Sequence, residues 1–293
     1  MATAAQWIQG ARPRTLPAAI APVLIGSAAA YEMDSFILLN AVLAALVALL
    51  LQIGVNYAND YSDGIRGTDE DRVGPLRLVG SGAASPEHVK RAAFAAFGLA
   101  MLFGLILVII TQAWWLILVG VGCVLAAWGY TGGKNPYGYL GLGDVFVFVF
   151  FGLVATLGTT YTQAGQLSLA AIIGAIGTGL IACALLMANN VRDIPTDRKS
   201  GKKTLAVRLG DKHARESYVL MLAVAILLVI VLAPARPWML IVLLLIPASL
   251  MPSWLMISGR RRKSLIPVLK QTGLINLGFA ALFSLGLVLS HGF

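Results

Sequence analysis

The length of the apolar runs is the feature that most constrains the fold of this chain. Apolar residues come in blocks of about 20, the length that a helix needs to cross the hydrocarbon core of a bilayer. Hydrophobic residues make up 58% and charged residues only 12% of the 293 residues, whereas a soluble domain has roughly 25% charged residues. Because lipid cannot satisfy exposed backbone groups, such blocks predict helices. The sequence therefore predicts an all-α, polytopic membrane protein with a single domain over residues 1–293.

Nine blocks are candidates for membrane spans. They are predicted at residues 15–33, 36–58, 91–110, 113–130, 143–163, 168–190, 216–234, 237–257 and 272–290. Residues 1–14 precede the first block and are predicted to form a short amphipathic segment. A cleaved signal peptide is the alternative for the first block, but no soluble domain follows that it would export.

Positive charge is distributed unevenly over the predicted connections. Alternating spans place all of the 22 lysines and arginines except Arg236 on one side of the membrane. By the positive-inside rule that side is cytoplasmic, so we expect the N-terminus and the loops at 59–90 and 191–215 inside and Phe293 outside. The net charge of +9 is thus explained by topology and by contact with membrane lipid. It predicts no nucleic-acid partner and no particular oligomeric state.

A polar segment interrupts the pattern at the end of the second block. Gln52, Asn56 and Asp60 are spaced i, i+4, i+8, so they form one stripe on a helix. Asp63 and Asp69 follow in the adjoining loop. Polar side chains on an apolar helix are costly in a membrane and indicate a functional site.

A second polar segment follows the sixth block. Asn189 and Asp193 repeat the i, i+4 spacing, and Asp197 lies one helical turn further on. Four membrane crossings separate the two segments, so both are predicted to face the same side of the membrane. The chain therefore places two acidic clusters at one end of the predicted bundle.

The two acidic clusters suggest a metal site. Facing carboxylates repel each other in a low dielectric unless cations lie between them. Magnesium prefers oxygen ligands and is commonly bound by one or two carboxylates together with substrate phosphates. Two clusters suggest two ions bridged by a diphosphate. The candidate metal ligands are Asp60, Asp63, Asp69, Asp193 and Asp197.

Basic and amide side chains surround the acids and are candidates for binding the diphosphate. Cations near acids bind phosphate well through charge-assisted hydrogen bonds, although most cytoplasmic cations merely follow topology and contact lipid headgroups. The candidates are Gln52, Asn56, Asn59, Arg66, Arg77, Lys134, Asn189, Arg192, Arg198, Lys202 and Lys203.

At these residues the chain resembles the UbiA superfamily of intramembrane prenyltransferases. That family has an N-x-x-x-D-x-x-x-D segment on its second span and a D-x-x-x-D segment on its sixth. Here the segments read NYANDYSD at 56–63 and DIPTD at 193–197. The runs at 11–26, 59–79 and 189–210 are similar to the MenA branch, which acts on 1,4-dihydroxy-2-naphthoate.

The resemblance implies a UbiA-like bundle and a magnesium-dependent aromatic prenyltransferase of menaquinone biosynthesis in the bacterial cell membrane. Polyprenyl diphosphate would be the donor, and the prenyl group would replace a carboxylate that leaves as carbon dioxide. The five aspartates named above would hold two Mg²⁺ ions, with catalysis dependent on Asp60 and Asp193. Either Asp63 or Asp69 would supply the second acid of the first segment. Tyr130 would stabilise the allylic cation through its ring face.

Other functions compete with this one. The same enzyme chemistry suits hydroxybenzoate, homogentisate or a sugar phosphate as acceptor. A transporter also uses paired polar half-sites, although its sites tend to lie near the membrane midplane. A lipid-binding scaffold is a third alternative, and magnesium-independent lipid binding would be its sign.

Overall fold

A computed structural model of the chain describes residues 2–67, 76–133 and 136–291, and these residues form helices and connecting turns without a strand. The short helix α1 at Ala4–Gly10 precedes nine further helices. These are α2 (Pro17–Glu32), α3 (Leu38–Ile65), α4 (Pro86–Thr111), α5 (Leu116–Gly129), α6 (Gly143–Ala164), α7 (Leu169–Lys199), α8 (Leu205–Leu232), α9 (Pro237–Ile257) and α10 (Arg262–Ser290).

The helices support the predicted membrane bundle. Within the described ranges, seven helices are long and apolar enough to cross a membrane, and an eighth span results if the pair Ala4–Thr15 and Pro17–Glu32, bent by 49°, is counted as one. Helix α5 is apolar but has only 14 residues, so it is about 21 Å long against a hydrocarbon core of about 30 Å. The predicted count of nine is therefore not confirmed.

The best-packed part of the bundle lies on one side. Helices α2, α7, α8, α9 and α10 share one large cluster of buried apolar residues, which includes Ile25, Ile181 and Phe279. Helix α7 is the most enclosed span, because 67% of the residues in its most apolar stretch are buried. The clusters that involve α3, α4 and α5 are much smaller. The bundle thus has a solid side around α7 and a hollow side between α3 and α6.

Helix α6 is widened where it forms the wall of that hollow. Phe148–Val154 adopts a π-helix, a conformation often found at functional sites. Gly152 in this turn packs so closely on α7 that a Cβ atom there would lie 2.7 Å from the Cα of Gly179. The close backbone approach fixes α6 against α7 while neighbouring aromatic residues of the π-helix line the hollow.

Polar contacts mark the two ends of the bundle. At one end, Lys202 after α7 forms an ion pair with Asp63 near the end of α3, with 3.3 Å between Nζ and Oδ1. At the other end, His291 after α10 pairs with Asp34 after α2. The two polar segments of the sequence therefore meet at one end, as predicted.

Candidate active site

A cavity of about 2660 Å³ fills the hollow side of the bundle. Its polar mouth is lined by Asp63, Asp193 and Asp197, and its apolar interior extends as far as Ala44 and Leu107. A cavity with a charged mouth and an apolar interior suits a ligand with an ionic head and a hydrocarbon tail.

Asp63 is the meeting point of three loops at the mouth. Its carboxylate accepts a hydrogen bond from the Tyr139 hydroxyl at 2.7 Å and pairs with Lys202 at 3.3 Å. Arg77 Nη2 lies 3.6 Å from its other oxygen. The side chain of Asp63 is about 5% exposed, so these charges interact with little screening from water. Residues far apart in sequence are thereby held around one carboxylate.

The groups around Asp63 keep their ordinary protonation states. Burial and then the negative charge of Asp63 raise the pKa of Tyr139, so its hydroxyl remains a donor at neutral pH. Burial alone would lower the pKa of Lys202, but Asp63, Tyr139 and Asp197 outweigh it and raise that pKa. Lys202 is therefore a cation at the mouth.

Asp60 is not turned to the cavity, although it lies only three residues before Asp63 on α3. It is fully buried and does not line the cavity. Its carboxylate accepts hydrogen bonds from the backbone N–H groups of Leu78 and Val79, at 2.8 and 3.0 Å. The structure thus uses Asp60 to hold the returning loop, and among the described residues it does not bring this predicted ligand to the cavity.

The other members of the predicted stripe also make structural contacts. Asn56 donates to the carbonyl of Ala11 at 2.9 Å and to the hydroxyl of Thr15 at 3.0 Å, and Gln52 donates to Thr15 at 3.2 Å. Both amides line the cavity, but they fix the turn before α2. Asn59 reaches the cavity wall and accepts a hydrogen bond from Thr131 at 2.7 Å. The pair that faces the mouth is therefore Asn59 and Asp63, which has the same i, i+4 spacing as Asn189 and Asp193 and could have been found from it.

The second segment lies at the mouth as predicted, on the C-terminal part of α7. Asp193 accepts two hydrogen bonds from the guanidinium of Arg192, at 2.7 and 2.6 Å. Asp197 is 9% exposed and, like Asn189, lines the cavity. The amide of Asn189 donates to the carbonyl of Leu185 within the same helix.

Several predicted diphosphate-binding residues differ in their placement. Arg66 donates to the carbonyl groups of Thr131 and Gly133, so it anchors the loop after α5. Arg198 and Lys203 are exposed and do not line the cavity. Two further predicted residues, Asp69 and Lys134, lie outside the described residues.

The segment between α5 and α6 supplies three tyrosines to the cavity lining, which are Tyr130, Tyr137 and Tyr139. Tyr130 lines the cavity, and its ring packs edge-on against Tyr137 with 5.6 Å between the ring centres. Tyr139, which was not predicted as a site residue, has Lys202 Nζ 4.4 Å and Arg66 Cζ 5.3 Å from its ring centre. In the sequence, the one signal for Tyr139 was its position in a loop on the same side of the membrane as the acidic clusters.

The oxygen atoms at the mouth are of the kind that binds magnesium. The carboxylates of Asp63, Asp193 and Asp197 and the amide oxygens nearby are hard oxygen ligands. No group of three or more Asp, Glu, His or Cys residues within the described ranges is close enough to hold an ion alone. The described carboxylates instead contact Lys and Arg, so they fit a site that is completed by a phosphate-bearing ligand.

The chain matches a known family and several characterised relatives. The model of the UbiA prenyltransferase family matches residues 19–270. The 1,4-dihydroxy-2-naphthoate octaprenyltransferase of Mycobacterium tuberculosis is 53% identical, and the match covers 96% of each chain. The Escherichia coli protein of the same name is 44% identical over 74% of this chain and 72% of its own.

Solved structures share the fold. A UbiA homolog from Archaeoglobus fulgidus bound to GPP and Mg²⁺ superimposes with a TM-score of 0.69 at 17% identity, over 97% of this chain and 99% of that chain. The apo structure of a UbiA homolog from Aeropyrum pernix K1 gives a TM-score of 0.66 at 18% identity, over 92% and 97% of the two chains. These structures have the same arrangement of helices as the chain described above.

Proposed function

This chain belongs to the UbiA prenyltransferase family, and from that premise we propose that it transfers a polyprenyl group to 1,4-dihydroxy-2-naphthoate with loss of carbon dioxide. It is an integral membrane transferase. The observation that carries the proposed acceptor is the 53% identity to a 1,4-dihydroxy-2-naphthoate octaprenyltransferase over 96% of both chains. The product would be a demethylmenaquinone, an intermediate of menaquinone biosynthesis in the bacterial cell membrane.

The mouth of the cavity supports binding of a polyprenyl diphosphate. Asp63, Asp193 and Asp197 would hold magnesium, which we propose binds as two ions and neutralises the negative charge of the diphosphate. Asp69 stays a proposed further ligand. Because the mouth opens into an apolar cavity, the polyprenyl tail of the donor would lie inside the bundle.

The cations at the mouth would hold the leaving diphosphate. Lys202 and Arg77 lie beside Asp63, and Arg192 is paired with Asp193. Preorganised cations stabilise the charge that develops on a leaving group, and they do so most strongly away from water. We propose that these three side chains bind the outer phosphate oxygens as the bond between the prenyl C1 atom and oxygen breaks.

The allylic cation and its acceptor would meet just inside the mouth. Tyr130 lines the cavity there, and its ring face would stabilise the positive charge on the prenyl group. The carboxylated ring carbon of the naphthoate would form the new carbon–carbon bond. The ring then regains aromaticity as the bond to the carboxylate breaks and carbon dioxide leaves.

A second set of cations suits the negative charge of the acceptor. Arg14 before α2 and Lys263 and Lys270 on α10 line the same cavity. None of these three has an ion pair within the described part of the chain. We propose that the acceptor carboxylate binds to these cations.

Isotopic labelling of the acceptor tests the proposed reaction. Purified protein is incubated with Mg²⁺, a polyprenyl diphosphate and 1,4-dihydroxy-2-naphthoate labelled at its carboxyl carbon. We expect one labelled carbon dioxide for each prenylated product. Label retained in the product would contradict the loss of the carboxylate, and transfer to hydroxybenzoate or homogentisate alone would identify a different acceptor.

A further inference from the structure

The apolar cavity continues far beyond the residues that would carry the chemistry. Along α3 it is lined by Leu51, Ala48, Val47 and Ala44, each further from the mouth than the one before. Residues of α4, α5 and α6 line the same depth, including Leu107 and Leu116. The depth of this cavity therefore limits the length of hydrocarbon that it can hold.

The glycines of the bundle fall into two groups according to the space beside them. Some pack against other helices, and a Cβ atom at Gly174 or Gly177 would collide with a neighbouring side chain at less than 2.5 Å. Others line the cavity and have room. A Cβ atom at Gly98 would meet nothing within 4 Å, and one at Gly104 would meet only Val47 Cγ2, at 3.8 Å. A larger side chain at either position would project into the cavity.

The positions of these two glycines can be expressed as distances from the mouth. Gly104 faces Val47, which precedes Asp63 on α3 by sixteen residues, or about 24 Å at 1.5 Å per residue. Phe97, the neighbour of Gly98, contacts Gly54. Gly54 precedes Asp63 by nine residues, or about 14 Å. Gly98 and Gly104 thus mark two depths on one wall.

These depths correspond to whole isoprene units. Each unit adds four bonds to the main chain, and carbon–carbon bonds of about 1.5 Å give an extended length of about 5 Å per unit. A donor with its diphosphate at Asp63 would therefore pass Gly98 at about the third unit and Gly104 at about the fifth.

We propose that Gly98 and Gly104 determine the length of the prenyl chain that this enzyme accepts, by leaving the cavity open along α4 for a tail of more than five units. This inference rests on the proposed prenyl transfer. It assigns the tail a path along the cavity wall that α3 and α4 form together. A long donor then depends on Gly104, whereas a short donor does not reach it.

The test compares donors of two lengths in one variant. Gly104→Leu is assayed with geranyl diphosphate, which has two isoprene units, and with octaprenyl diphosphate, which has eight. We expect kcat/KM for the octaprenyl donor to fall about tenfold or more, because side-chain bulk competes with the tail. Transfer from the geranyl donor should stay within about threefold of the wild type. Val47→Phe narrows the same depth from the neighbouring helix α3 and should reproduce the selective loss.

A matched glycine controls for the change in helix composition. Gly122 on α5 also has nothing within 4 Å of a Cβ atom, but it does not line the cavity. Gly122→Leu should therefore leave the ratio of the kcat/KM values for the two donors at its wild-type value.

The outcomes separate the inference from the proposed function. If the ratio of kcat/KM for the octaprenyl donor to that for the geranyl donor stayed at the wild-type value in Gly104→Leu and in Val47→Phe, the inference would be overturned, since the tail would then leave the cavity before this depth. If the wild-type protein transferred a prenyl group from neither donor, the proposed function itself would be overturned.

Discussion

At the scale of single residues, the acids of α3 have separate tasks although they are only three positions apart. Asp63 faces the cavity and contacts Tyr139 and Lys202. Asp60 faces the loop that returns from the mouth and binds two of its backbone N–H groups. Helical periodicity placed Asp60 in one stripe with Gln52 and Asn56, which do line the cavity, but it could not show that the carboxylate of Asp60 turns aside to the returning loop. That was decided by a contact with Leu78 and Val79 that hydropathy does not encode.

Substitution of the two acids should separate their tasks. Asp60→Ala leaves two N–H groups without their acceptor, and each loss costs about 1–3 kcal/mol when the group is buried. We therefore expect Asp60→Ala to lower the unfolding temperature in detergent. Asp63→Asn keeps an acceptor for Tyr139, so it should disturb the fold less than an alanine would and lose at least about 99% of turnover, by analogy with the removal of a preorganised transition-state contact. A normal unfolding temperature for Asp60→Ala would contradict its structural assignment.

Tyr139 offers a second test at this scale. Tyr139→Phe removes the hydrogen bond to Asp63 but keeps the ring beside Lys202, whereas Tyr139→Ala removes both contacts. A hydrogen bond to a charged group contributes about 1.5–3 kcal/mol, and a cation–π contact contributes about 0.5–2 kcal/mol. We expect KM for the diphosphate donor to rise in Tyr139→Phe and to rise further in Tyr139→Ala. Equal values in the two variants would show that the ring contributes nothing to donor binding.

At the scale of helices, the length of the apolar blocks predicted which helices form better than it predicted where each helix begins and ends. The block predicted at 168–190 corresponds to α7, but the helix continues to Lys199. Hydropathy detects only the part of a helix that lies in lipid, whereas the i, i+4 spacing had already indicated the further helical turn of α7 that carries Asp197 to the mouth. Conversely, the block at 113–130 yielded the short helix α5, because Ala113 to Trp115 form a turn before it.

The contact between α6 and α7 gives a prediction for packing. A Cβ atom at Gly152 would lie 2.8 Å from the carbonyl oxygen of Ala175, in addition to its collision with Gly179. Both obstacles are backbone atoms, so the helices must separate. We expect Gly152→Ala to destabilise the bundle by about 1–3 kcal/mol or more, seen as a lower unfolding temperature in detergent. Gly122→Ala is the control, since its Cβ atom has open space and alanine favours the helix by about 1 kcal/mol. A similar unfolding temperature in the two variants would contradict close packing at Gly152.

At the scale of the whole molecule, the bundle combines a packed side and an open side. The packed side around α7 holds the second acidic segment in place, while α3 to α6 line most of the cavity, with further lining from α2, α7 and α10. The apolar blocks predicted a membrane bundle and the polar segments predicted its functional end. They could not predict the cavity, because the same apolar residues line a hollow or fill a core according to how the helices are arranged.

The path of the chain between the two ends leads to a prediction about membrane topology. Thr15 before α2 lies at the mouth, where it contacts Asn56, and His291 after α10 lies at the opposite end, where it pairs with Asp34. An odd number of passages joins these two ends, so we expect α5 to account for one passage despite its 14 residues. Since nearly all basic residues flank the mouth, we expect the mouth to be cytoplasmic. A reporter fused after Phe293 should then be active only outside the membrane, and one inserted in the loop at 191–215 only inside. If each reporter were found on the side opposite to the expected one, α5 would not cross the membrane and the orientation of every later helix would be reversed. If both reporters were found on the same side, the three helices α8, α9 and α10 would not all cross.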